Sequence, residues 1–249
     1  MKSPLRYPGG KTRAIKILSE YIPVGTESVC SPFFGGGSFE LHLQECGCNV
    51  VGYDSFDLLV NFWQHLYNNQ GIEIYDYLSR YEMPADKSLF YAIQKSIHTN
   101  TNELIKASWF YFLNRCSFSG STLSGGMSAN TPRFNQRSIE CLIGFEMKIK
   151  VELMSFEKSI PLNSDKLIFA DPPYFIDQSL YGTRGNMHDD FDHKLLSEVL
   201  LKHGNFILTY NDCEYVRSLY DGCKIDVVQW AYGMNKTKKS NEIIITKFI

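Results

Sequence analysis

Apolar residues in this chain fall into short runs separated by amphipathic stretches, and their order predicts the fold. Segments at 27–31, 49–53, 148–153, 166–170, 205–210, 225–230 and 242–248 read as strands, and the run within 166–170 is the most continuously apolar of the first four. That length and composition suit strands buried on both faces. Helical spacing is expected over 12–21, 39–45, 56–67, 191–202 and 213–220. Residues 75–81, 89–97 and 103–114 add three helices with no strand between them, followed by a Ser/Gly/Asn/Thr-rich loop at 117–131. The pattern predicts an α/β sheet from 1–74 and 146–249, interrupted by a mainly helical insertion at 75–145 with an exposed loop.

The breaks between runs carry the chemistry. Pro32-Phe33-Phe34-Gly35-Gly36-Gly37-Ser38 follows the first strand and opens a helix, and the second strand ends on Asp54. Strand, glycine turn, helix, strand, acid is the order of a nucleotide-binding β-α-β unit. The turn lacks the third glycine of the dinucleotide fingerprint and the lysine of a phosphate loop. It suits a nucleoside without phosphate over Phe33, Gly35 and Gly37, with Asp54 accepting both ribose hydroxyls. Asp54 also suits a helix N-cap, and both roles can hold together.

The 166–170 run ends in Asp171-Pro172-Pro173-Tyr174. Proline lacks an N–H and has fixed φ, so the strand stops there. Asp171 is then at the carboxyl edge of a sheet, where open α/β folds bind ligands. A carboxylate, a proline carbonyl and a flat ring suit a planar base with an exocyclic amine. Arg6-Tyr7-Pro8-Gly9-Gly10-Lys11 offers a ring and a cation, Tyr7 and Lys11, to cover an amino-acid-like tail. Phe156, expected at the end of the preceding strand, suits either the core or one wall of an adenine site. Asn114-Arg115, beside the polar loop, matches residue types that read nucleic acid, arginine on phosphate or guanine and asparagine on adenine.

Composition narrows the partners. The formal net charge of the 249 residues is −2, so any polyanion must meet local patches. Candidates are the basic N-terminus, Arg133, Arg137 and the Lys236, Lys238, Lys239 linker. Seven scattered cysteines without framework or C-x-x-C spacing read as reduced thiols, and no metal-ligand spacing is present. With no apolar signal core at the start and no membrane-length apolar run, a cytoplasmic chain is expected.

Taken in order, these segments resemble the D12 class of DNA N6-adenine methyltransferases, the group that includes the Dam enzymes. The 6–11 segment resembles the family's N-terminal cofactor segment, and the 32–38 turn its Pro-Phe-x-Gly-x-Gly-Ser motif. Asp54 is similar to its ribose acid, and Asn114-Arg115 with Gly120 to the middle of its recognition segment. Asp171-Pro172-Pro173-Tyr174 resembles its catalytic motif, and Glu242 to Thr246 its closing strand. The resemblance implies a Rossmann-like S-adenosyl-L-methionine-dependent methyltransferase sheet, with 75–145 as the target-recognition subdomain. It implies Asp171, Pro172, Pro173 and Tyr174 as catalytic residues and Tyr7, Lys11, Phe33, Gly35, Gly37, Asp54, Phe156 and Asp171 as cofactor contacts. Asn114, Arg115, Arg133, Arg137, Lys236, Lys238 and Lys239 are the implied DNA contacts. Double-stranded DNA is the implied partner, with room for a cognate restriction endonuclease. Two positions depart from the pattern. Ser31 stands where the family usually has an acid that helps hold the methionine amine. Leu123 stands where the Dam branch has an arginine, so a recognition sequence other than GATC is expected. The rival readings are a cytosine-N4 or RNA amino-methyltransferase and a binding module without catalysis.

Overall fold

In the computed structural model, residues 1–128, 133–175, 191–229 and 242–248 are described. All seven expected strands are present: β1 (Ser28–Ser31), β2 (Asn49–Asp54), β3 (Lys150–Leu153), β4 (Leu167–Ala170), β5 (Phe206–Asn211), β6 (Lys224–Val228) and β7 (Glu242–Lys247). The helices are α1 (Ile15–Ser19), α2 (Ser38–Glu45), α3 (Asp57–Tyr67), α4 (Gly71–Leu78), α5 (Lys87–Ser96), α6 (Glu103–Cys116), α7 (Gln136–Glu140), α8 (Phe156–Leu162), α9 (His193–His203) and α10 (Glu214–Leu219).

The strands join in one sheet in the order β3-β2-β1-β4-β5-β7-β6. The first five are parallel, and β7 runs antiparallel between β5 and β6. The period of two along each strand divides the core. Val29, Leu167, Phe169, Ile207 and Ile244 face one buried cluster; Cys30, Ile168, Ala170, Leu208 and Ile243 face the other. Apolar positions on α2–α7 cover the first face, and those on α8–α10 the second. Burial on both sides explains why these strands read as continuous apolar runs.

Two helices were not expected. Phe156 opens α8 instead of ending a strand, and Pro161 sits inside that helix, which blurs its periodicity. The short α7 is announced by a capping box in which Asn135 and Ser138 exchange side-chain and backbone hydrogen bonds. The inserted helices share the sheet's core. Phe62 of α3 packs against Phe110 and Tyr111 of α6, at ring-centroid distances of 5.8 and 5.5 Å.

Chain direction decides where a ligand can sit. From β1 the sheet grows one way through β2 and β3, and from β4 the other way through β5. The crevice at such a reversal lies at the carboxyl ends of the two central strands. Cys30 pairs with Ile168, so Ser31 and the glycine turn leave β1 beside the point where Asp171 leaves β4.

Candidate active site at the sheet reversal

The glycine turn is closed on itself. Gly35 N–H donates to Asp54 Oδ2 at 2.9 Å, and Gly37 N–H donates to the Phe34 carbonyl at 2.9 Å. Two of its amides are thereby used, which leaves the turn a poor phosphate cradle. The turn is also covered. A Cβ added to Gly36 would lie 2.6 Å from Tyr7 Cβ, and one on Gly35 2.9 Å from the Tyr7 ring. These glycines therefore admit Tyr7. Phe34 fills the space over Gly37 and Gly52, where an added Cβ would come within 2.7 and 2.4 Å of its ring. Packing against Phe34 thus accounts for a glycine at position 37.

Asp54 ends β2 with its other oxygen, Oδ1, taking the Phe56 N–H at 3.0 Å. Burial pushes this carboxyl above the ordinary carboxylate value, and the N–H groups of Gly35 and Phe56 oppose the shift. The expected N-cap role is not met, since Phe56 is the N-cap of α3 and no side chain caps that helix; Asp54 instead turns the chain ahead of it, and each of its oxygens keeps a lone pair after its amide bond. Phe33 packs on Phe156 and on Phe191, each at 5.7 Å, forming an aromatic wall beside the turn. Phe191 completes this wall and was not singled out from the sequence.

Asp171 sits at the carboxyl end of β4 as expected, and its partners are specific. Lys11 Nζ donates to Oδ1 at 2.6 Å and to Oδ2 at 2.7 Å; Thr209 Oγ1 donates to Oδ1 at 2.6 Å. Lys11 is only 4% exposed and also donates to the Gly9 carbonyl at 3.0 Å. Its ammonium grips the acid, where the sequence had suggested a place along a cofactor tail. Pro172 is buried and Pro173 half-buried. The Tyr174 ring lies 5.9 Å from that of Tyr210 with Lys11 Nζ 5.1 Å from its centroid. Its hydroxyl donates to Glu242 Oε2 at 2.6 Å. Glu242, the first residue of β7 and 1% exposed, thus fixes the ring; the sequence marked it only as part of a strand.

The expected nucleic-acid residues divide. Asn114 is fully buried. Its Oδ1 accepts from Arg6 N–H at 2.9 Å, and its Nδ2 donates to the carbonyls of Arg6 at 2.7 Å and Gly120 at 3.3 Å. This corrects the expectation that Asn114 reads a base: the amide mimics a backbone strand partner and ties the N-terminal segment to the polar loop. Gly120, at φ 81°, leaves no room for a Cβ, which would fall 1.9 Å from the Arg6 carbonyl oxygen. Ser117, Gly120 and Thr122 are buried, so the loop expected to be wholly exposed is partly core. Phe118 on it is 66% exposed.

Arg115 is half-buried, donating to the Arg133 carbonyl at 3.2 Å and weakly to the Pro4 carbonyl at 3.4 Å. Burial, together with the charges of Arg133 and Arg115, lowers Arg6 to about 10. Three guanidinium groups are therefore close enough to repel, which favours an anion among them. Arg137 is exposed on α7. Lys236, Lys238 and Lys239 lie outside the described residues. Among the described residues, no group of three or more His, Cys, Asp or Glu could hold a metal, and no helix is long and apolar enough to cross a membrane.

Known proteins bear on this geometry. The chain is 26% identical over 233 residues to the Type II methyltransferase M.CviBI of Paramecium bursaria Chlorella virus NC1A, covering 89% of this chain and 87% of that protein. The crystal structure of SMU.472, solved as a complex with SAH, overlaps at 12% identity and TM-score 0.40; the overlap covers 95% of this chain but only 51% of that one. The sequence profile described as D12 class N6 adenine-specific DNA methyltransferase matches residues 7–234. That span takes in the glycine turn, Asp54, the inserted helices and Asp171 to Tyr174, and the chain belongs to this family of DNA methyltransferases.

Proposed function

We propose that this chain transfers a methyl group from S-adenosyl-L-methionine to N6 of an adenine turned out of double-stranded DNA. The observation that carries the reading is the position of Asp171. It lies at the sheet reversal beside the glycine turn, held by Lys11 and Thr209 and next to the Tyr174 ring. The residues fit the methyl donor: an acid and an aromatic wall suit its nucleoside, and the internally bonded turn suits a molecule without phosphate. When bound, the donor supplies a methyl already activated on a sulfonium.

The chain's own groups position the acceptor. Oδ1 of Asp171 already accepts from Lys11 and Thr209, whereas Oδ2 accepts from Lys11. A carboxylate oxygen takes two donors, so Oδ2 is where an N6 hydrogen is received, with the Pro172 carbonyl taking the second. That would draw the nitrogen lone pair out of conjugation and toward the methyl, and the one N6 proton displaced as the nitrogen–carbon bond forms would pass to solvent. Tyr174, anchored by Glu242, presents a stacking face worth about 1–3 kcal/mol per base. Flipping an adenine out costs a few kcal/mol, which this stacking helps to offset.

Residues 75–145 would serve target recognition, with Arg6, Arg115, Arg133 and Arg137 on phosphates and Phe118 presented to the bases. Each phosphate contact contributes about 0.9 to the slope of log affinity against log salt. Arg133→Ala is therefore expected to lower that slope by about one and to weaken all duplexes alike, measured by fluorescence anisotropy across a salt series. An unchanged slope would remove Arg133 from the interface. The function itself is tested by incubating the chain with labelled donor and duplex DNA and identifying the modified nucleoside by mass. N6-methyl-2′-deoxyadenosine supports the reading; N4-methyl-2′-deoxycytidine, or donor binding without turnover on any duplex, would replace it.

A further inference from the structure

One buried carboxylate has no part in the mechanism above. Glu40 lies in the first turn of α2 and is only 3% exposed, between the core residues Phe39 and Leu41. It reaches back to the end of β1, where the fully buried Ser31 donates its hydroxyl to Oε1 at 2.8 Å. Ser31 is the position at which the sequence departs from the family's acid. The glycine turn thus still has an acid at its back, delivered from the helix that follows it instead of the strand that precedes it.

The charged groups facing Glu40 are Asp171 and Lys11. Lys11 offsets it only in part, because its ammonium also donates to the Gly9 carbonyl and to both oxygens of Asp171. The pocket therefore holds two carboxylates and one cation. A buried carboxylate in that position is disfavoured unless a cation joins it or it takes up a proton. We infer that Glu40, steadied by Ser31, binds the ammonium group of the methyl donor's amino-acid tail. The inference rests on the donor assigned above.

Electrostatics supply its signature. Burial, with the charge of Asp171 adding to it, raises the Glu40 carboxyl to about 7 from an ordinary 4.5; its own backbone N–H, the Ser31 hydroxyl and Lys11 oppose the shift. In the free chain this group contributes stability below about 4.5, and that contribution is lost as pH rises through about 7. A bound ammonium reverses the preference toward the ionised form. Binding near pH 6.5 must then expel a proton from Glu40.

The test is titration calorimetry near pH 6.5, in buffers of different ionisation heat. The probes are S-adenosylhomocysteine, which carries the ammonium, and 5′-methylthioadenosine, which lacks it. The wild-type chain is expected to release a proton on the first ligand and none on the second. Glu40→Gln, which keeps the shape and a partner for Ser31, is expected to lose that release and bind the first ligand about 10- to 100-fold more weakly, the range of a charge-assisted hydrogen bond. It should bind the second ligand as before. Adding Ser31→Glu to Glu40→Gln is expected to restore part of the affinity. Absence of proton release by the wild-type chain, or equal release and affinity in Glu40→Gln, would overturn the inference. If neither ligand binds the wild-type chain, the donor assignment itself fails. The wild-type comparison decides the matter even if the variant does not fold.

Discussion

Asp171→Asn is expected to slow methyl transfer by about 10³-fold or more while leaving the chain folded and able to bind S-adenosylhomocysteine. The carboxylate only accepts, and it has room for Lys11, Thr209 and one hydrogen of a substrate amine. An amide has one accepting atom and two donors. With its oxygen turned to Lys11 and Thr209, its NH2 points at the incoming amine and repels it. Loss of one preorganised polar contact typically costs about 10²–10³-fold in turnover; here an attraction is also replaced by a donor–donor clash. Single-turnover transfer of labelled methyl to duplex DNA measures the rate, and calorimetry measures cofactor binding. A variant that transfers at the wild-type rate would sink the assignment of Asp171.

The second large effect concerns Lys11. Lys11→Met is expected to lower stability by about 2–4 kcal/mol, less than the full cost of breaking a deeply buried pair, because Asp171 is 22% exposed and keeps Thr209. For a chain of this size that is a fall in Tm of about 5–15 °C. Turnover should fall with it, since the acid loses the group that orients it. The double variant Lys11→Met with Asp171→Asn should recover part of the lost stability, because no charge is left unpaired, but none of the activity. Melting curves of the two single variants and the double variant close the cycle. Additive losses in stability would mean that the pair contributes nothing in solution.

Much of the scaffold was legible along the chain, for a local reason. The central strands β4, β5 and β7 are buried on both faces, so their residues are mostly apolar in sequence, whereas the edge strands β3 and β6 alternate with charged residues; the breaks between runs hold Gly, Pro or acid. Asp54 and Asp171 were readable because each stands at such a break, the first as the last residue of β2 and the second just after β4. Phe156 was misplaced onto a strand because a residue three positions past β3 looks alike whether the chain stays extended or turns into a helix. Glu242 was passed over because nothing in a β-branched run shows that its first side chain will meet a tyrosine hydroxyl 68 residues earlier.

Polar residues were the harder part. Asn114 and Arg115 are adjacent and both are residue types that read nucleic acid, yet one is buried as a backbone clamp and the other belongs to a cluster of guanidinium groups. Helical phase about α6, together with the N-terminal segment laid across its end, separates them. Neither factor can be read from residue type.

The succession of elements and the chemistry at their ends can be read along the chain, because burial along a strand or helix leaves a period in the residues that form it. Which ends meet is settled in the folded molecule alone. Lys11 joins Asp171 across 160 positions, Asn114 joins Arg6 across 108, and Glu40 comes to stand behind Ser31. Those pairings follow from sheet order and from the direction in which α2 and α6 present their faces. Contacts between distant positions leave no periodic trace in either segment.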